Sequence, residues 1–153
     1  MSPETIFSIC TKLVMPGWLL LIFAPGWKWT ARFIAACVLP LALAVVYLVL
    51  VATHFGQSEG GFGSLADVAL LFRNPHNLLA GWIHYLAFDL FIGAWEVRDA
   101  RALGIHHLLV VPCLLLTFMF GPVGLLLYFV LRFALKRKFL VGGQTHERAR
   151  IDA

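Results

Sequence analysis

Charge is scarce in this chain. Asp, Glu, Lys and Arg make up 13% of its 153 residues, against 61% hydrophobic and 14% aromatic. Mean hydropathy is +0.86. A soluble domain of this length has no use for so much apolar material, so the composition specifies a small all-α polytopic membrane protein. Cysteine is also sparse. Cys10, Cys37 and Cys113 lie far apart, each inside an apolar run, and read as small hydrophobes rather than metal ligands. Of His54, His76, His84, His106, His107 and His146, only His106-His107 are close, with no spaced partner. No metal and no cofactor is therefore expected. No glycine-rich phosphate loop, serine nucleophile elbow or Cys–His pair is recognisable. No basic stripe is interleaved with aromatics, which excludes nucleic acid as a partner. The opening residues lack both the basic n-region of a secretory signal and the Ser- and Arg-rich stretch of a transit peptide. The expected location is a bacterial inner (cytoplasmic) membrane.

Four spans follow from the need for roughly 20 apolar residues per crossing. The first, Thr5–Ala24, contains Lys12 and is interrupted by Pro16-Gly17. The second, Phe33–Thr53, carries no charge and should kink at Pro40. Residues 56–63 are glycine-rich, and Ser64-Leu-Ala-Asp67 is a capping-box-like start for a short helix over 65–73, too brief to span and expected at the interface. Asn74-Pro75 opens the third span as cap and first helical residue, running to Val97. The fourth, Leu108–Leu131, is uncharged and should break near Pro112 and Pro122. Residues 1–141 thus form one four-span domain, and 142–153 a polar, disordered tail. Four crossings put both termini on one side. Arg132, Lys136, Arg137 and Lys138 make that side cytoplasmic, while Lys28, Arg32, Arg98 and Arg101 vote the other way.

The third span is the functional one. It carries His84 and Asp89 mid-membrane, where an ionisable group costs about 2.5–3.5 kcal/mol on insertion scales. With His84 at 0° and about 100° per residue, Asn77, Tyr85, Glu96 and Asp89 fall on one half of the helix. Leu79, Leu86, Leu90 and Val97 fall on the other. The expectation is a polar face turned into the bundle and a leucine face turned to lipid. Lys12 is the candidate cation for Asp89. The pattern fits either helix-to-helix hydrogen bonding or acid/base chemistry.

The string Leu79-Ala-Gly-Trp-Ile-His-Tyr-Leu-Ala-Phe-Asp-Leu90, with Asp99-Ala100, Pro112-Cys-Leu-Leu-Leu-Thr117 and Phe120-Gly-Pro-Val-Gly-Leu-Leu-Leu-Tyr128, resembles the abscisic-acid-deficient-four-like (neoxanthin-synthase-like) family. Pro16-Gly-Trp-Leu-Leu20 and Phe23-Ala-Pro25 are similar too. Plant members are required for neoxanthin synthesis, in which a 5,6-epoxide of violaxanthin opens and an allene forms. The resemblance implies an isomerase without a redox cofactor, acting on an epoxy carotenoid or another oxygenated isoprenoid. Such a step needs an acid for the oxygen and a base for the neighbouring carbon's proton. Asp89 or Glu96 would be the acid and His84 the base, with Tyr85 orienting. Asn77, Trp82, Phe88 and Trp95 would line a polyene groove. The alternative is a non-catalytic carotenoid- or lipid-binding protein, or a partner subunit of another membrane enzyme. A transporter is weaker, because alternating access in four short spans would require an oligomer. Expected partners are a lipid-soluble small molecule and membrane lipids.

Overall fold

The computed structural model describes residues 1–27 and 29–137. Lys138 and the tail 142–153 lie outside the described residues. Six α-helices are present among the described residues: α1 (Pro3–Phe23), α2 (Leu39–His54), α3 (Leu65–Leu71), α4 (Pro75–Ala102), α5 (His107–Phe120) and α6 (Pro122–Lys136). Three segments are long and apolar enough to cross a membrane: Pro3–Phe23, Phe33–Gln57 and Pro75–Ala102.

Local chemistry sets most of the boundaries. Ser2 caps α1, accepting from Thr5 N at 3.3 Å, with Pro3 next in the chain. The helix runs through Pro16 without a break. At Gly17 a Cβ would stand 2.8 Å from Leu39 Cδ1, so the glycine lets α1 close on α2 and α4. The second span begins as a π-helical stretch, Thr30–Val38, in which Ile34 N reaches back five residues to Trp29 O. Pro40 has no N–H to donate, and the chain tightens to ordinary α-helix there. Both start signals read from sequence are present. Ser64 Oγ accepts from Asp67 N at 3.1 Å, and Asn74 Oδ1 accepts from His76 N at 2.9 Å.

The expected fourth crossing takes another form. Leu108–Leu131 is split between α5 and α6, which turn back on each other at Gly121-Pro122. Gly124 in α6 lies against Thr117 and against the carbonyl of Cys113, residues that a continuous helix would hold two and three turns away. At the far end Lys136 returns beside Gly104. The turn rests on Gly121, at φ +48° and ψ −96°, a conformation that favours glycine. Pro112 sits inside α5 and does not interrupt it, contrary to expectation.

The expected lipid face of α4 is also corrected. Leu79, Leu86, Leu90 and Val97 are all buried. The helix is the centre of the molecule, with α1, α2, α5 and α6 packed around it. Leucines fill its interior-facing side because apolar packing against α1 and α2 needs them there. The polar side is divided between a lateral opening toward α2 and the α5–α6 hairpin. Leu78, Trp82, His84, Phe88 and Phe91 are exposed on the opposite side, so the expected inward position of His84 is corrected as well: the leucine side is the covered one, and a helical wheel alone does not say which side that is.

Candidate functional site

Two polar places lie on α4, and they face different neighbours. The first is a chamber of about 370 Å³ between α2 and α4, lined by Tyr47, Asn77, Gly81, His84, Phe62 and Phe72 among others. The His84 ring lies 5.9 Å from Tyr47 and 4.5 Å from Phe88, centroid to centroid. No hydrogen bond occupies the Tyr47 hydroxyl or the His84 imidazole among the described residues. A second, apolar groove of about 290 Å³ lies further along the same two helices, walled by Pro40, Leu41, Ala44, Ala87, Phe88 and Phe91. From Asn77 to Phe91 the two together run about 21 Å along α4 at 1.5 Å per residue.

The chamber is roofed by the segment that links α2 to α4. Phe55, Phe62, Leu71 and Phe72 come from that segment and line the cavity. Phe55 and Phe62 stack at 5.6 Å. Phe72 lies against α4 at Gly81, where a Cβ would be only 2.9 Å from its ring. His54 and His76 stack at 3.8 Å where the roof meets the two helices.

The second place is an acidic stripe that receives the hairpin level by level. Near the C-terminal end of α4, Asp99 Oδ2 accepts from Tyr128 OH at 2.7 Å and pairs with Arg132 Nε at 2.8 Å. One turn deeper Glu96 Oε1 accepts from Thr117 Oγ1 at 3.0 Å. Two turns deeper again, Asp89 meets the hairpin tip, where a Cβ on Gly121 would stand 2.9 Å from Oδ1. Its carboxyl also meets the side chain of Tyr85, whose hydroxyl donates to Phe118 O at 3.4 Å. Asp89 Oδ2 and Glu96 Oε2 are buried without hydrogen-bond partners.

The structure therefore separates residues that the sequence grouped. His84, Asn77 and Phe88 border the chamber and groove. Asp89, Tyr85 and Glu96 face the hairpin. Trp82 lies on the α1 side, donating to Thr11 Oγ1 at 3.3 Å and tilted on Phe7. Trp95 packs on Tyr128 and Phe129. Lys12 is exposed and forms no ion pair with Asp89. Glu96, expected near the membrane edge, is 0% exposed and the most deeply buried carboxyl on the stripe. Sequence reasoning missed Tyr47. Its signal was available, since it is the only hydroxyl-bearing residue between Phe33 and Ala52.

A family model described as ABA DEFICIENT 4-like matches residues 5–128. Among curated proteins, Protein ABA DEFICIENT 4, chloroplastic, from Arabidopsis thaliana is 25% identical over 144 residues, covering 89% of this chain and 64% of the relative's length. No solved structure matches.

Proposed function

This chain belongs to the ABA DEFICIENT 4-like family, and we propose on that footing that it binds an oxygenated isoprenoid of the carotenoid class between α2 and α4 and isomerises it there. Pro3–Phe23, Phe33–Gln57 and Pro75–Ala102 cross the bilayer in this reading, and α5–α6 re-enters to the depth of Asp89. The observation that carries the proposal is the succession of chamber and groove along α2 and α4. Tyr47 and His84, neither of them hydrogen-bonded, lie side by side in the chamber, and the apolar groove lies next along the same two helices in the direction a polyene would run.

The chemistry balances without a redox partner. One epoxide C–O bond breaks and its electrons pass to oxygen, which takes the Tyr47 proton. His84 takes a proton from the adjacent polyene carbon, whose bonding electrons form the new C=C bond. Return of that proton from imidazolium to phenolate resets the pair. In this reading the open side of the chamber and groove faces lipid tails, which keeps away the water that would otherwise open the epoxide to a diol. Asp89 anchors the hairpin in this scheme and does not touch substrate.

The test is conversion of a purified epoxycarotenoid by protein reconstituted in lipid, followed by chromatography and mass. The product should keep the substrate's mass. His84→Ala and Tyr47→Phe should each lower the rate by about 10²–10⁴-fold, while Asp89→Asn stays near wild type. Loss of conversion in Asp89→Asn with His84→Ala unaffected would move the chemistry to the hairpin side. Tight binding with no conversion by wild type would establish the non-catalytic reading.

A further inference from the structure

Asn77 ties the roof of the chamber to its contents. It is 4% exposed and belongs to α4, yet its amide nitrogen bonds both ends of the roof. Nδ2 donates to Ser58 Oγ at 2.8 Å, ahead of α3, and to Leu71 O at 3.3 Å, at its end. Ser58 Oγ also accepts from Asn74 Nδ2 at 3.0 Å and donates to His54 O at 3.0 Å, so the hydroxyl is fully engaged. Between these two fastenings lie Gly60, Gly61 and Gly63, with Gly60 at φ +90°. A glycine-rich strap between two fixed points is a segment that can lift as a unit once the points release. The other half of the Asn77 amide has no such duty. Oδ1 accepts no hydrogen bond from the described residues, on a side chain that borders the chamber.

We propose that Asn77 is the positioning residue of this site. Oδ1 receives a hydroxyl on the ring end of the ligand, while the amide N–H groups hold the strap 58–71 closed over that ring. Resting on the reading that the groove takes an isoprenoid, this assigns the ligand's orientation. The hydroxylated ring lies under the strap at the Asn77 end, and the chain runs down the groove toward Phe91. It also assigns the strap as the door, because Phe62 and Leu71, which line the chamber, belong to the segment that the Asn77 amide fastens.

Zeaxanthin and β-carotene share one skeleton and differ by ring hydroxyls, so they isolate the Asn77 contact. A hydrogen bond of ordinary net strength gives wild type a preference for zeaxanthin of about two- to tenfold. Asn77→Leu should bind both carotenoids alike. Asn77→Asp, which keeps an acceptor and removes both N–H donors, should retain the preference but release either carotenoid several times faster. Ser58→Ala, outside the chamber lining, should also keep the preference and speed release of both. Equal affinity of wild type for the two, or a preference that survives in Asn77→Leu, overturns the Asn77 contact. Unchanged release in Ser58→Ala and Asn77→Asp overturns the door. Wild-type protein that binds neither carotenoid overturns the underlying reading of the groove together with this one.

Discussion

Adding one methyl group at Gly124 separates a hairpin from a straight crossing by the sign of its effect. In a continuous membrane helix, Gly→Ala should stabilise by about 0.8–1 kcal/mol from helix propensity alone. In the hairpin, the new Cβ falls on the backbone nitrogen and Oγ1 of Thr117 and on the carbonyl oxygen of Cys113. Backbone atoms cannot rotate away, so α5 and α6 must separate. Overpacking of that kind costs typically 1–3 kcal/mol, and a backbone collision belongs at the upper end. After the propensity gain is subtracted, Gly124→Ala should destabilise by about 2 kcal/mol, a shift of roughly 30-fold in the folding equilibrium. Thr117 would also be pushed off Glu96, losing the 3.0 Å hydrogen bond that satisfies Oε1. The measurement is unfolding of purified protein in mixed detergent micelles, with Gly56→Ala as control because nothing lies within 4 Å of a Cβ there. If Gly124→Ala is as stable as wild type or more so, the α5–α6 packing described above is wrong.

Arg132→Leu strands Asp99 without its ion-pair partner and should destabilise by about 3–5 kcal/mol, whereas Asp99→Leu/Arg132→Leu together should recover most of that loss, measured by the same unfolding assay. Gly81→Ala drives the Phe72 ring toward the chamber. Carotenoid affinity should fall about tenfold with stability little changed, read by ligand titration, since one displaced contact of 1–2 kcal/mol has that effect. Ser64→Ala removes the cap of α3 and should cost about 1 kcal/mol locally, visible as faster hydrogen exchange over Leu65–Leu71 with α4 unaffected.

Much of the fold could be read from residues whose meaning is local. Asn74-Pro75 and Ser64 marked helix starts because a capping oxygen and a missing N–H act within one turn, and both caps are present. Apolar length identified the three long segments for the same reason. The hairpin could not be read that way. Pro16, Pro112 and Pro122 look alike in sequence, and only the last coincides with a reversal, because Gly121 supplies the positive φ and Gly124 the bare surface for close return. The site was half legible. The arc of Asn77, His84 and Asp89 singled out α4, the helix on which both polar places lie. Angle alone could not reveal that 140° of separation puts His84 toward α2 and Asp89 toward the hairpin, since that depends on which neighbours fill the space. Tyr47 stayed hidden because a single tyrosine in an apolar run also fits plain packing.

The return of α6 to the end where α5 began has a consequence for parity. A hairpin adds no crossing, so under the proposed topology of three crossings the chain starts and finishes in different compartments. Among the described residues, most of the basic ones, divided when each span was counted as a passage, now gather at one end. Arg101 bonds the carbonyl of Pro25 there, Arg132 pairs with Asp99, and Arg98, Lys136 and Arg137 lie at the same level. The opposite end holds Glu4, Glu59 and Asp67, with Arg73 as its lone arginine among the described residues. Under the proposed topology, the positive-inside rule would put the arginine-rich end in the cytoplasm. The C-terminal side of α6 would then face the cytoplasm, and Ser2, the strap and the chamber mouth would face the other compartment. Reporter fusions at the two ends should give opposite signals, and a matching pair would restore an even number of crossings.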